Sequence, residues 1–310
     1  MTEKKIDKPK KKMKWWKKTL LIVLALLIVA AGVGAYFYAD ITASIDKMQH
    51  KTKAINTSTS LGKIKAKKTI QILLIGVDER ANDNGRSDAL VVMNLNPKTN
   101  TLHMISIPRD TRTEIVGHGT TDKINHAYAF GGVDMTVNTV EKFLGEQIEY
   151  YVKVNMAGLK SFVNAVGGVT VDNPLDWYDE GYYKKGFHFT KGKMALDGDQ
   201  ALGFVRMRHF DPQGDFGRNA RQRLVIQAVI DKSANSISLP KIHSMLNAMG
   251  KNVETNMNAN AMKVLVKNYR QTRANMVNYE VAGTGGKIDG IYYLLVSDQE
   301  KAKVKDMLSQ

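Results

Sequence analysis

Hydrophobic positions along this chain fall into three patterns. The first is an unbroken run from Thr19 to Ala39, TLLIVLALLIVAAGVGAYFYA, without a charged side chain. About 20 apolar residues suffice to cross a bilayer as a helix, so the run predicts a transmembrane helix over 19–39. Trp15 and Trp16 precede it and Tyr36 and Tyr38 close it, where interfacial aromatics are expected. A cleaved signal peptide is the competing reading, but its apolar stretch is normally about 7–15 residues, shorter than this one. The second pattern is short apolar runs bounded by turn residues, the mark of buried strands. Ile70 to Val77 (IQILLIGV), Ala89 to Leu95 and Leu102 to Ile107 fit it, and Asn96-Pro97-Lys98-Thr99-Asn100 joins the last two as a hairpin. Tyr150 to Val154, Asn278 to Val281 and Ile291 to Val296 read as further strands.

The third pattern has a helical period. Val133, Val137, Val140 and Leu144 share one face, with Asp134 as a candidate cap. Leu159, Phe162, Val163 and Val166 predict a helix stopped by Gly167-Gly168. Further helices are expected at about 197–205, 216–234, 240–251 and 258–272, and a last one opens on Ser297 and Glu300 at capping-box spacing. Residues 174–193 mix aromatics, glycines and charges without a period and read as a long loop. Strands alternating with helices predict one α/β domain over 69–310, three layers (α/β/α) around a mixed central sheet. Residues 40–68 are polar and rich in small side chains, and read as a stalk that is partly helical near the membrane.

Charge orients this arrangement. The formal net charge is +15, and residues 1–18 carry nine lysines against Glu3 and Asp7, a surplus of seven that leaves the rest mildly basic. Lysine-rich flanks stay cytoplasmic. The chain therefore reads as a single-pass membrane protein with a basic tail at 1–18 inside and everything after Asp40 outside the cell. That topology removes cytoplasmic nucleotides and chromosomal DNA as partners of the domain, and the tail is too short for a DNA-recognition module. The absence of cysteine excludes disulfides and thiolate chemistry. The seven histidines show no metal-ligand spacing, so a zinc site is not expected.

Candidate chemistry collects where charged residues end apolar elements, because a rigid scaffold can aim such side chains into a cleft. Gly76-Val77-Asp78-Glu79-Arg80 leaves the first strand, Gly85-Arg86-Ser87-Asp88 enters the second, and Ser106-Ile107-Pro108-Arg109-Asp110-Thr111 leaves the third. If those strands are neighbours, Asp78, Arg86, Asp88, Arg109 and Asp110 line one sheet edge, the usual ligand position in open α/β sheets. Further on, Arg206 and Arg208 are spaced to share a face if the backbone is extended. Arg218, Arg221 and Gln222 follow at i, i+3 and i+4 on one side of a helix start, where arginine opposes the helix dipole unless an anion joins it. Guanidiniums with two or three aspartates suit a phosphate ligand with a hard divalent cation. Any one of these motifs alone is an ordinary turn or surface ion pair; it is their number that points to a site.

In order, the stretches LLIGVDER, GRSDALVVMNLNPKT, MISIPRDT, DKINHAYAFGG, YYVKVNMAG, VGGVTVD, LDGDQALGFVRMR and DPQGDFGRNARQR resemble the signature segments of the LytR-CpsA-Psr family. The similarity runs from about Ile70 to Lys232; the residues after it carry little. The resemblance implies an α/β/α fold whose cleft takes a polyprenyl-pyrophosphate-linked glycan, the lipid tail in an apolar tunnel, and transfer of the glycan phosphate (teichoic acid, capsule or similar) to peptidoglycan. It implies Asp78 and Asp88 as magnesium ligands. It implies Arg86, Arg109, Lys123, Arg206, Arg208, Arg218, Arg221 and Gln222 as pyrophosphate-binding positions. Arg109 would stabilise the transferring group, and Asp110 is a candidate base or else the structural partner of an arginine. His126 is a candidate acid or base or a helix-start residue, while His188 and His209 stand apart from these segments. Two readings compete with the transferase: a lipid-glycan binding module, needing the arginines but not the metal carboxylates, and a pyrophosphatase using water as acceptor.

Overall fold

Among the residues that the computed structural model describes (35–78, 85–236, 246 and 250–309), the chain opens with helix α1 (35–48) and helix α2 (Thr57–Lys65). Strands β1 (Ile70–Val77), β2 (Ser87–Asn96) and β3 (Thr101–Ile107) follow, then β4 (Arg112–Ile115), β5 (Thr120–Lys123), α3 (His126–Leu144), β6 (Tyr150–Asn155) and α4 (Met156–Ala165). Next come β7 (Val169–Asn173), β8 (Trp177–Tyr178), β9 (His188–Phe189), β10 (Gly192–Leu196), α5 (Gly198–Arg206) and α6 (Asp215–Ser236). The chain closes with β11 (Val253–Thr255), α7 (Ala259–Tyr269), β12 (Asn275–Glu280), β13 (Thr284–Ile288), β14 (Ile291–Leu295) and α8 (Asp298–Ser309). The basic tail, most of the expected membrane helix, the motif residues Glu79 and Arg80, and most of the expected helix at 240–251 lie outside the described residues. No helix among the described residues is long and apolar enough to cross a membrane.

The central sheet has the order β11-β6-β1-β2-β3-β12. Its middle strands β1, β2 and β3 are antiparallel neighbours, whereas β6 runs parallel to β1 and β12 parallel to β3, so the sheet is mixed. Side-chain alternation divides the apolar runs between two faces. Leu73, Ile75, Leu90, Val92 and Ile105 pack against Val137 and Val140 of α3 and Val304 and Leu308 of α8. Ile70, Ile72, Val91 and Met104 pack on the other face against Ile64 of α2 and Ala261 and Tyr269 of α7. A third cluster, with Trp177, Phe189, Phe204 and Val225, joins the β7–β10 region to α5 and α6. Each such side chain, taken fully from water, contributes roughly 1.5–3 kcal/mol.

Three expectations change on the structure. Residues 40–68 are no free stalk: Ile45, Met48, Ile55 and Ile64 are buried, α2 is capped by Asn56, and Gln49 pairs with Thr255 beyond the sheet edge. Polar composition hid the few apolar residues that anchor the segment. Asp134 accepts from the Lys53 N–H at 3.1 Å and from the Thr52 hydroxyl, fastening that segment to α3. Helix α3 itself begins at His126 and kinks at Gly131 and Gly132, the latter at φ 60°, where a side chain would be strained. Residues 174–193, expected as a loop, carry the β8–β9 pairing of Trp177–Tyr178 with His188–Phe189, whereas Ile291 to Leu295 is the expected strand and pairs with β13 in a separate hairpin.

Candidate active site

The β1–β2–β3 order brings the ends of three motifs to one sheet edge. β1 ends in a bulge at Gly76/Val77, where a Cβ on Gly76 would sit 2.9 Å from that of Ala89. The Asp78 N–H then meets the Arg86 carbonyl at 3.4 Å. Asp78 and Asp88 from these strand ends line a cavity of about 230 Å³ together with Arg109 from the exit of β3. The opposite wall comes from α5 and α6. A capping box between Asp197 and Gln200 starts α5. Met207 breaks its end into extended backbone (φ −56°, ψ 136°), so that Met207 is buried while Arg206 and Arg208 both reach the cleft. Arg218 and Gln222 of α6 complete that wall.

Arg109 is the hub. It meets Asp88 at 2.8 Å and Asp215 at 2.9 Å, with Asp110 at 3.8 Å. Burial pulls its pKa down, but the Asp88 hydrogen bond and the charges of Asp215, Asp88 and Asp110 outweigh it and leave the pKa raised. Arg218 lies deeper and is pulled the other way. Burial first, and then the like charges of Arg109 and Arg208, lower its pKa against the attraction of Asp215 and Asp88. Among the described residues its Nε and the Asp215 Oδ1 are buried without a hydrogen-bond partner. Four guanidiniums and two carboxylates line the cleft, and Asp215 and Asp110 stand against the guanidiniums from outside it. The Arg218 Nε, unmatched among the described residues, is a donor that a phosphate group would satisfy.

Not every expected residue meets there. Arg86 is exposed beyond the strand end and does not line the cleft. Lys123 stands behind Asp110, 2.7 Å from its carboxylate, and over the Tyr293 ring. Arg221 is fully buried: its Nε donates to the Phe204 carbonyl at 3.1 Å, and its other nitrogens hold Asp211 and the Met207 carbonyl. Gly217 permits this packing, because any Cβ there would collide with the Asp211 carboxylate. His126 pairs with Asp122 at 2.7 Å away from the cleft, and His188 pairs with Asp176.

Three participants escaped the sequence reading. His209, expected apart from the constellation, lines the cleft and faces Glu180 at 3.1 Å. Tyr182 puts its ring under Arg206, 5.2 Å from the guanidinium carbon. Asp215 ties Arg109, Arg208 and Arg218 together. Its position three residues before Arg218 was the available signal, in a stretch that otherwise reads as a turn. Among the described residues no three His, Asp or Glu side chains gather as a metal cage. Asp78 and Asp88 suit an ion that takes one or two protein carboxylates and completes its shell with water and phosphate oxygens, as magnesium does.

Fold and cleft together define an α/β protein whose sheet edge opens on a cleft lined by arginines and two carboxylates. Residues 34–310 match the LytR_cpsA_psr family, and the chain belongs to that family. It is 48% identical over 284 residues, 90% of this chain and 92% of its relative, to the Bacillus mycoides protein named polyisoprenyl-teichoic acid–peptidoglycan teichoic acid transferase TagU. The crystal structure of B. subtilis TagU superposes with a TM-score of 0.63 at 41% identity, covering 77% of this chain and 95% of that one. TagT bound to LI-WTA does so with a TM-score of 0.66 at 32% identity, covering 78% and 90%.

Proposed function

We propose that this chain transfers a glycopolymer phosphate, a teichoic acid or a similar polymer, from a polyprenyl-pyrophosphate carrier to peptidoglycan at the outer face of the cell membrane. The observation that carries the proposal is the convergence of Arg109, Arg206, Arg208 and Arg218 with Asp78 and Asp88 in one cleft. The high identity to a named teichoic acid transferase supports it. An acceptor sugar hydroxyl forms a bond to the glycan-side phosphorus as the bridging P–O bond breaks. The electron pair leaves with polyprenyl monophosphate, and the hydroxyl proton is lost. Such transfer needs mainly positioning and charge neutralisation. Arg109, fixed between Asp88 and Asp215, holds its charge at the transferring group; Arg206 and Arg208 flank it, and Gln222 can donate its amide beside Arg218. Magnesium on Asp78 and Asp88 would offset charge on the departing phosphate. Asp110, paired with Lys123, borders the adjoining pocket as the candidate base.

Residues 19–39 are proposed as the uncleaved anchor, with the lysine tail inside. The chain lacks cysteine, so Thr99→Cys, in an exposed turn, gives a single label site. Impermeant maleimide should label it on intact cells, and labelling only after lysis would refute the topology. The function is tested with the purified full chain, a synthetic polyprenyl-pyrophosphate-linked glycan and soluble peptidoglycan. Glycan joined to peptidoglycan, magnesium dependence, and loss of transfer with retained donor binding in Asp78→Asn are expected. Release of free glycan phosphate to water alone would establish a pyrophosphatase instead, and donor binding with no turnover a binding module.

A further inference from the structure

We propose that the pocket beside the arginine cleft is the acceptor subsite, in which an aminosugar ring of peptidoglycan stacks on Tyr292. This inference rests on the transfer reading above and gives its second substrate a place. The pocket measures about 340 Å³ and is bordered by Asp110, Gln213, Asp215, Phe216 and Tyr292. Arg208 lines both this pocket and the arginine cleft, so the two adjoin at that side chain. Phosphoryl transfer with attacking and leaving oxygens roughly in line requires such a neighbouring opening for the nucleophile.

The lining fits a sugar. A pyranose has an apolar C–H face and a rim of hydroxyls; it matches an aromatic surface edged with carboxylates and an amide. Tyr292 is 44% exposed and borders the pocket. Asp215 also borders the pocket; its buried Oδ1 lies 3.8 Å from Arg208 and has no hydrogen-bond partner among the described residues. Asp110 and Asp215 disfavour a second stretch of phosphate-rich donor in this pocket, which leaves the acceptor as the occupant.

The platform is rigidly mounted. Tyr292 lies across Gly285 of the paired strand, where a Cβ would come within 2.9 Å of the tyrosine hydroxyl. Two residues on, the Leu294 N–H donates to the Asp110 carbonyl at 2.8 Å, and Leu294 bridges Thr111. The hairpin is thereby bonded to the same segment that carries Arg109. The neighbouring Tyr293 is buried, with Arg112 and Lys123 over its ring. Of the two tyrosines only Tyr292 is presented outward.

The test compares Tyr292→Ala and Tyr292→Phe in the full chain, using the synthetic donor and a soluble peptidoglycan oligomer, together with an NMR titration of wild type with a lipid-free disaccharide–peptide. The proposal expects Tyr292→Ala to raise the KM for the oligomer about tenfold, with donor KM unchanged and Tyr292→Phe close to wild type. An unchanged oligomer KM in Tyr292→Ala, beside an active wild type, overturns the subsite and leaves the transfer reading standing. A parallel rise in donor KM, or equal damage in Tyr292→Phe, also overturns it. If wild type does not transfer, resonance shifts confined to the Tyr292 hairpin on adding the disaccharide–peptide keep the subsite while the transfer reading falls. Without such shifts the subsite falls too.

Discussion

Arg218 and Arg221 stand one turn apart on α6, have the same side chain, and follow the same run of charges. Arg218 turns toward the cleft, where like-charged Arg109 and Arg208 crowd it and its buried Nε has no hydrogen-bond partner among the described residues. Arg221 turns inward under the end of α5, where the Phe204 and Met207 carbonyls and Asp211 engage all three of its nitrogens. Arg223, further along, is likewise engaged by Glu280 at 3.1 Å and by Ser106 at 2.6 Å. The difference teaches how to separate cleft-facing from architectural arginines in such a helix. The architectural ones are saturated by carbonyls and one carboxylate. Those lining the cleft are held in place by aspartates yet keep charge and donors to spare.

The comparison can be broken first at Arg221. Arg221→Ala leaves Asp211 buried and unpaired, so urea unfolding should show a loss of about 3–5 kcal/mol. Pairing Arg221→Met with Asp211→Leu should recover much of that loss; a strictly additive double variant would refute the architectural role. Next comes the cleft. Arg109→Ala should slow transfer on the order of 10²–10³-fold while the unfolding midpoint moves far less than in Arg221→Ala. Near-normal turnover would remove Arg109 from the site. Gly217→Ala probes the contact that orients Asp211, and a cost of about 1–3 kcal/mol is expected from the collision. The smallest effect lies behind the cleft, at Asp122. Burial pushes its pKa up, but hydrogen bonds from His126 and the Lys123 N–H and the His126 charge hold it below the ordinary 3.8. A depressed carboxylate contributes stability that is complete above the unfolded value and lost as pH falls through the folded one. Thermal unfolding of Asp122→Asn against wild type should therefore show a modest deficit above pH about 4 that narrows in stronger acid. An unchanged difference across that range would remove Asp122 from the acid response.

Much of the fold was legible because apolar period and turn chemistry agree: β1, β2, β3, α4, α5 and α6 lie where those patterns place them. The cleft was legible for a related reason, since charges that end apolar runs must project from sheet edges and helix starts. Side-chain direction was not. Spacing puts Arg218, Arg221 and Gln222 on one side of α6, but only the tertiary approach of Asp211 and α5 decides that Arg221 is enclosed. Asp215 and Tyr182 were hidden because a turn and a loop carry no period. Of the β13–β14 hairpin only Ile291 to Val296 was legible; β13 was hidden because Gly285 and Gly286 interrupt its apolar pattern, although they are strand residues and Tyr292 lies across Gly285.

The central claim is that the guanidinium cluster around Arg109 selects a diphosphate headgroup. Calorimetric titration of the purified full chain with polyprenyl pyrophosphate and polyprenyl monophosphate of equal chain length tests it most directly. The account predicts binding at least about tenfold tighter for the pyrophosphate, with that preference abolished in Arg109→Ala. Equal affinity for the two lipids, or a preference that survives Arg109→Ala, would contradict it.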